Sequence, residues 1–161
     1  MIGLIACAAF SVASCSEDDD CSGNARHMLT AGIYTTLQVG GEHVSIPDTL
    51  DIVNIYAFGT DSVIINNQSN ASKLSLPLRT NKEETTLVIS YVASSDTTSI
   101  IPRDTIVFRH LNTPYFLTLD CNFAVKQELT GVSFTTHLLD SVVIINPTAS
   151  IDGTENIKIY Y

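Results

Sequence analysis

The sequence predicts an all-β protein, a single antiparallel β-sandwich over residues 28–161, immunoglobulin-like in the broad sense with Greek-key connections. Three observations carry that expectation. Val and Ile are prominent in a chain that is 45% hydrophobic and rich in Ser and Thr, and β-branched side chains suit a pleated, half-buried surface. Strand-length runs recur at short intervals, separated by Asn, Asp, Ser, Thr, Gly and Pro, each a turn former. No amphipathic stretch of helical period and helical length occurs after residue 14. A chain of 161 residues makes one domain with one core.

The elements follow in order. Leu29 to Val39 and Glu42 to Ile46 flank Gly40-Gly41, the mark of a two-residue hairpin, because both central residues of such a turn take positive φ. Further strands are expected at 51–58, 62–66, 72–78, 85–93, 104–111, 114–125, 131–139, 141–146 and 155–161. In the run 114–125 the alternation places Tyr115, Leu117, Leu119, Cys121, Phe123 and Val125 on the inward face, opposite Phe116, Thr118, Asp120 and Asn122. Ile106 with Phe108, and Ile157 with Ile159 and Tyr161, supply further inward positions. The segments beginning Asp61-Ser62-Val63 and Asp140-Ser141-Val142 echo one another, which reads as two similar strand starts rather than a duplication.

Before the first strand the chain reads as an address. Residues 2–14, IGLIACAAFSVAS, are apolar and small and too short to span a bilayer, as in the apolar region of a secretory signal peptide. No Lys or Arg precedes Arg26, so the expected start lies inside a longer signal peptide, read as residues 1–14. Val12-Ala13-Ser14-Cys15 resembles the lipobox of bacterial lipoproteins, making Cys15 the lipidated residue. Leu4-Ile5-Ala6-Cys7 also fits, but lipid on Cys7 would leave an apolar tether in water. Residues 15–27 then form a lipidated, acidic tether. Ser16-Glu17-Asp18-Asp19-Asp20 resembles the signal that sends Bacteroides-type lipoproteins to the outer face of the outer membrane; the competing reading is a solvated tether without an address. Calcium binding is disfavoured because four adjacent carboxylates lack the alternating spacing of a calcium loop. Diacylglycerol plus an N-acyl chain anchors stably without spanning.

Composition excludes some functions. With 8 Lys and Arg against 17 Asp and Glu, a net charge of −9 and no basic cluster, the chain has no footprint for nucleic acid. The four histidines, 27, 43, 110 and 137, show no zinc spacing; His110 and His137 have the sequence freedom to meet across strands, but surface or hydrogen-bonded roles are favoured over a metal site. No nucleophile elbow, phosphate loop or dinucleotide fingerprint occurs, and Glu83-Glu84 beside Lys82 reads as a solvated turn. No cofactor and no catalytic residue is expected. Of the four cysteines, Cys7 leaves with the signal and Cys15 takes lipid, so Cys21 and Cys121 are expected to form a disulfide in an oxidising compartment. Two buried free thiols are the alternative.

The segments NTPYFLTLDCNF (112–123), HLLDSVVIINPTASIDGTENIKIYY (137–161), GTDSVIINN and LSLPL resemble a family of Bacteroides-type lipoproteins of unknown function, domain of unknown function 6452. The resemblance implies an envelope location and the same disulfide between Cys21 and Cys121; it implies no activity.

The expected function is therefore that of a non-enzymatic, lipid-anchored protein of the outer membrane and cell surface, a binding or accessory module whose partner is an envelope protein or glycan. The alternatives are a fimbrillin-like structural or adhesive subunit and, less favoured, an enzyme on a β-sandwich. Cleavage at Arg26, the one basic residue near the tether, would remove Cys21 and weakens the fimbrillin alternative. Finally, an Asp followed by a hydroxyl residue and then an aliphatic residue or Thr recurs through the chain. This triplet resembles the O-glycosylation acceptor of Bacteroides-type proteins, which makes Thr49, Ser62, Thr97, Thr105 and Ser141 acceptor candidates. Turn-forming Asp before a strand-starting Ser or Thr produces the same triplet for structural reasons.

Overall fold

A computed structural model describes residues 26–92, 101–119 and 121–161. These form ten strands: β1 (Met28–Val39), β2 (Glu42–Pro47), β3 (Leu50–Ala57), β4 (Val63–Ala71), β5 (Lys73–Pro77), β6 (Glu84–Val92), β7 (Arg103–Thr118), β8 (Asn122–Phe134), β9 (Ser141–Ile144) and β10 (Glu155–Tyr160). Two five-stranded sheets result. One is ordered β2-β1-β10-β9, with β5 also on β1, and the other β4-β3-β6-β7-β8. The second is antiparallel throughout. In the first, β1 and β10 run parallel, Ala31 beside Ile157 and Ile33 beside Ile159. This departs from a purely antiparallel expectation and joins the first described strand to the last.

Both sheets contribute to one apolar cluster. Leu29, Ala31 and Ile33 of β1, Leu74 and Leu76 of β5, and Ile157 and Ile159 of β10 come from one; Val53, Ile55, Leu87, Ile89, Ile106 and Phe108 come from the other. The inward phases expected for Ile106, Phe108, Ile157 and Ile159 hold, and Tyr161 packs against the cluster's edge. The Gly40-Gly41 hairpin also holds, at φ +62° and +92°, values that cost an L side chain but not glycine. β4 outruns its expected end and reaches Ala71 through Asn67 and Asn70, both at positive φ, which Asn tolerates. The Asn54 side chain accepts the Asn67 amide at 2.7 Å.

The alternation expected across 114–125 is corrected. β7 passes through Pro114 and ends at Thr118; the chain turns and returns as β8, with Phe116 beside Phe123. Pro114 is tolerated because β6 pairs β7 only as far as Arg109, so proline's missing N–H faces no lost ladder bond on that edge. The amide of Cys121 donates to Thr118 Oγ1 at 3.1 Å within the turn. Leu119 is consequently 87% exposed and Phe123 66% exposed, while Cys121 remains buried at 8%. The tip of this β7–β8 arm extends past the end of β6. β8 also stops at Phe134 rather than continuing to 139, because the amides of residues 137–139 are bound by a side chain and cannot join a ladder.

Candidate functional site

Two buried polar groups are the first candidates for chemistry. Asp104, at the start of β7, is 1% exposed. Its carboxylate accepts from Thr135 Oγ1 at 2.5 Å, the His137 amide at 2.8 Å, His137 Nδ1 at 2.9 Å and the Leu138 and Leu139 amides at 2.5 and 2.9 Å. Burial alone would push this carboxyl up. The amide of His137, the hydroxyl of Thr135 and the amides of Leu138 and Leu139 outweigh it and hold the group below the usual carboxylate range. A carboxylate so fully occupied is a loop anchor and has no lone pair left to act as a base.

His110, six residues along the same strand, is equally buried. Burial pushes its imidazole below the ordinary histidine range, against a smaller opposing pull from Asn112 and Glu83. Asn112 Nδ2 donates to the carbonyls of Arg79, Thr80 and Lys82, and Gln127 Nε2 donates to Asn112 Oδ1. Asn112 Oδ1 is therefore an acceptor, His110 Nδ1 at 3.2 Å carries the proton, and Nε2 accepts from Thr85 Oγ1 at 2.9 Å. This chain fixes the 79–83 loop against the arm. His110 and His137 do not meet: six strand residues, about 20 Å, separate their anchoring positions on β7. Among the described residues no group of three or more His, Cys, Asp or Glu is placed to hold a metal.

The concave candidate lies beside the arm. His27 Nδ1 sits 2.9 Å from the Val125 carbonyl, and its ring stacks on Tyr115 at 6.2 Å. With Lys126 and residues 148–152 they line a cleft of about 370 Å³, mainly apolar. Residues 148–152 are held there by the Ala149 amide on the Gln127 carbonyl and by mutual bonds of Met28 and Ser150. Arg26 donates to the Leu78 carbonyl at 2.6 Å. A second concavity of about 370 Å³ lies at the 58–62 turn, where the Arg103 guanidinium stands 5.9 Å from the Tyr56 ring.

Cys15, Ser16 and the acidic residues Glu17, Asp18, Asp19 and Asp20, Cys21 and Thr97 all lie outside the described residues. Cys121 lies at the arm's turn, and its sulfur is engaged rather than free. Thr49 and Ser62 are exposed in loops; Thr105 and Ser141 are half-buried in paired strands. Sequence reasoning missed the cleft, whose members are scattered over four stretches of chain, His27, Tyr115, Lys126 and 148–152. It named His110 with a surface or hydrogen-bonded role, of which the structure shows the hydrogen-bonded one, but did not foresee the burial of His110 or of Asp104, although both share the inward phase of Ile106 and Phe108.

A family model described as a family of unknown function (DUF6452) matches residues 52–161, from within β3 to the last residue. No curated protein and no solved structure matches the chain.

Proposed function

We propose that this chain, which belongs to the DUF6452 family, is a non-enzymatic lipoprotein anchored through Cys15 at the outer membrane and exposed at the cell surface, as in Bacteroides-type envelopes. It works as a binding or accessory module on a β-sandwich of the immunoglobulin-like, Greek-key kind. The observation that supports this best is where the chain enters the fold. His27, twelve residues after Cys15, is fixed between Tyr115 and the Val125 carbonyl, at the mouth of the cleft. A tether of that length reaches roughly 40 Å at most, so the cleft is held close to the bilayer, where an envelope protein or glycan is met. Among the described residues, the buried titratable groups with perturbed protonation, Asp104 and His110, are both spent on fixing loops, which favours recognition over catalysis.

Two readouts in the native host test the reading. Wild-type protein partitions into detergent, and Cys15→Ala becomes soluble and mislocalised; a Cys15→Ala protein that still partitions, while Cys7→Ala does not, moves the anchor to Cys7. Cross-linking pull-down of the intact anchored protein recovers an envelope partner that the cleft variant Tyr115→Ser loses. Equal recovery by wild type and Tyr115→Ser removes the cleft from the proposal.

A further inference from the structure

The end of the molecule where the tether enters carries exposed apolar side chains that the cleft does not use. Phe116 and Phe123 pair across the arm, their rings in edge contact at 5.4 Å. They are 53% and 66% exposed, and Leu119 at the turn is 87% exposed. Large apolar side chains left in water cost free energy, and these three crowd one hairpin tip, between the polar turn formers Thr118, Asp120 and Asn122 of its sequence. Behind the tip, Arg26 and His27 share a shallow cleft with Phe123 and Val125, and Lys126 lines the neighbouring one with Tyr115 and Asp152. Apolar and aromatic residues at an extremity, with cations and a tyrosine one step behind, match the depth profile of a bilayer interface.

We infer that the β7–β8 tip is a second membrane contact: Phe116, Leu119 and Phe123 enter the boundary between headgroups and acyl chains, and Arg26 and Lys126 face the lipid phosphates. The inference rests on the lipid anchor at Cys15. Anchor and tip converge because the segment leading back toward Cys15 leaves the fold beside Val125, four residues from Cys121 at the turn. Tethering confines the tip near the bilayer, so a contact too weak to recruit the domain unaided is occupied once the lipid is inserted. The consequence is orientation: the arm points down, and the Gly40-Gly41 hairpin at the far end of β1 points away from the membrane.

The chain contains no Trp, so a single introduced Trp is a unique reporter. Full-length lipidated Leu119→Trp is incorporated into phosphatidylethanolamine and phosphatidylglycerol vesicles with brominated acyl chains, beside Val39→Trp at the opposite end. Both positions are exposed, so folding is not at stake. The inference expects blue-shifted Leu119→Trp emission quenched severalfold more strongly than that of Val39→Trp, with the excess lost when Phe116→Ser and Phe123→Ser are added. Protein that floats with the vesicles but shows equal quenching at the two positions overturns the inference and leaves the anchor standing. A blue shift that grows with protein density and is insensitive to bromine assigns the tip to a second copy of the chain and overturns it too. Protein that does not float overturns the anchor, and the inference with it.

Discussion

His137 meets Asp104 twice: its amide donates to the carboxylate at 2.8 Å and its Nδ1 lies 2.9 Å from the same oxygen, Oδ1. With Thr135, Leu138 and Leu139 on the remaining lone pairs, one buried carboxylate turns the chain out of β8. Asp104→Asn places an NH₂ group against N–H donors in either amide orientation and is expected to cost about 3 kcal/mol in denaturant unfolding. Its pH dependence has a fixed sign. The folded carboxyl lies below its unfolded value of about 3.9, so the stabilisation is complete above about pH 5 and is lost as pH falls toward the folded value. The gap between wild type and Asp104→Asn should therefore narrow between pH 5 and 3. A constant gap would show that the carboxylate charge is not what holds the loop.

The His110 cluster predicts a second, separate window. Burial lowers the folded imidazole below its unfolded value of about 6.5, so on acidification the unfolded chain binds this proton first. The stability tied to neutral His110 is full above about pH 7 and falls as pH drops below 6.5. His110→Gln, which does not titrate, should lose stability at pH 8 yet show a flatter decline of Tm from pH 7 to 5. Asn112→Ala removes the acceptor for His110 and the donor for three loop carbonyls. About 2 kcal/mol of loss is expected, with faster amide exchange at 79–83.

The Tyr34–Glu155 pair crosses over Gly32. A Cβ built there would collide with the Glu155 carboxylate and stand 2.8 Å from the Tyr34 ring, and Tyr34 donates to Glu155 Oε1 at 3.0 Å. Gly32→Ala must displace the carboxylate and tilt the ring, at about 1–2 kcal/mol. If the clash is the cause, Glu155→Ala relieves it, and Gly32→Ala costs markedly less in that background. Additive losses in the double-mutant cycle would place the cost in the backbone instead.

Much of the fold was legible because its signals are local. Gly40-Gly41 declared a turn by conformational freedom, and Ile157 and Ile159 declared a core face by period two. The arm was not legible. Its turn contains neither Gly nor Pro among its described residues and borrows the Thr118 hydroxyl, so apolar alternation runs on across 115–125 as if no turn existed. The parallel pairing of β1 with β10 joins residues more than 120 positions apart, and no local pattern encodes it. Asp104 and His110 were a different failure, since phase alone placed them inward beside Ile106 and Phe108. A surface or hydrogen-bonded role left the burial of His110 open, Asp104 entered only as part of an acceptor triplet, and each is held inside by a partner distant in sequence, Thr85 for His110 and Thr135 for Asp104, 25 and 31 residues away.

The acceptor triplets can now be ranked. Ser62 and Thr49 are exposed in loops. Thr105, by contrast, is half-buried, its amide bonded to Thr135 Oγ1 and its carbonyl to the Thr135 amide, and its preceding Asp104 is inaccessible to a transferase. Native-host protein, corrected for lipid, is expected to be heavier than its polypeptide, with sugar on Ser62 or Thr49 and none on Thr105. A glycopeptide carrying sugar on Thr105 would mean that modification precedes folding.

The cysteine pairing depends on the same entry geometry. From His27 beside the Val125 carbonyl, the chain has six residues back to Cys21, and β8 has four from Val125 back to Cys121. At about 3.3 Å per extended residue, the tether can run alongside the arm and reach its turn. The expected Cys21–Cys121 bridge closes a loop of about 100 residues, an entropic restraint of up to about 4.7 kcal/mol on the unfolded chain. Both Cys21→Ser and Cys121→Ser should then destabilise by several kcal/mol, and the double variant by scarcely more than either, because one covalent link is broken in all three. Peptide mapping without reductant should recover the linked pair. Additive losses, or alkylation of both thiols in unreduced protein, would refute the bridge. Its loss should also uncouple the tether from the tip, so that Cys21→Ser weakens the vesicle quenching of Leu119→Trp while the protein still floats on its lipid.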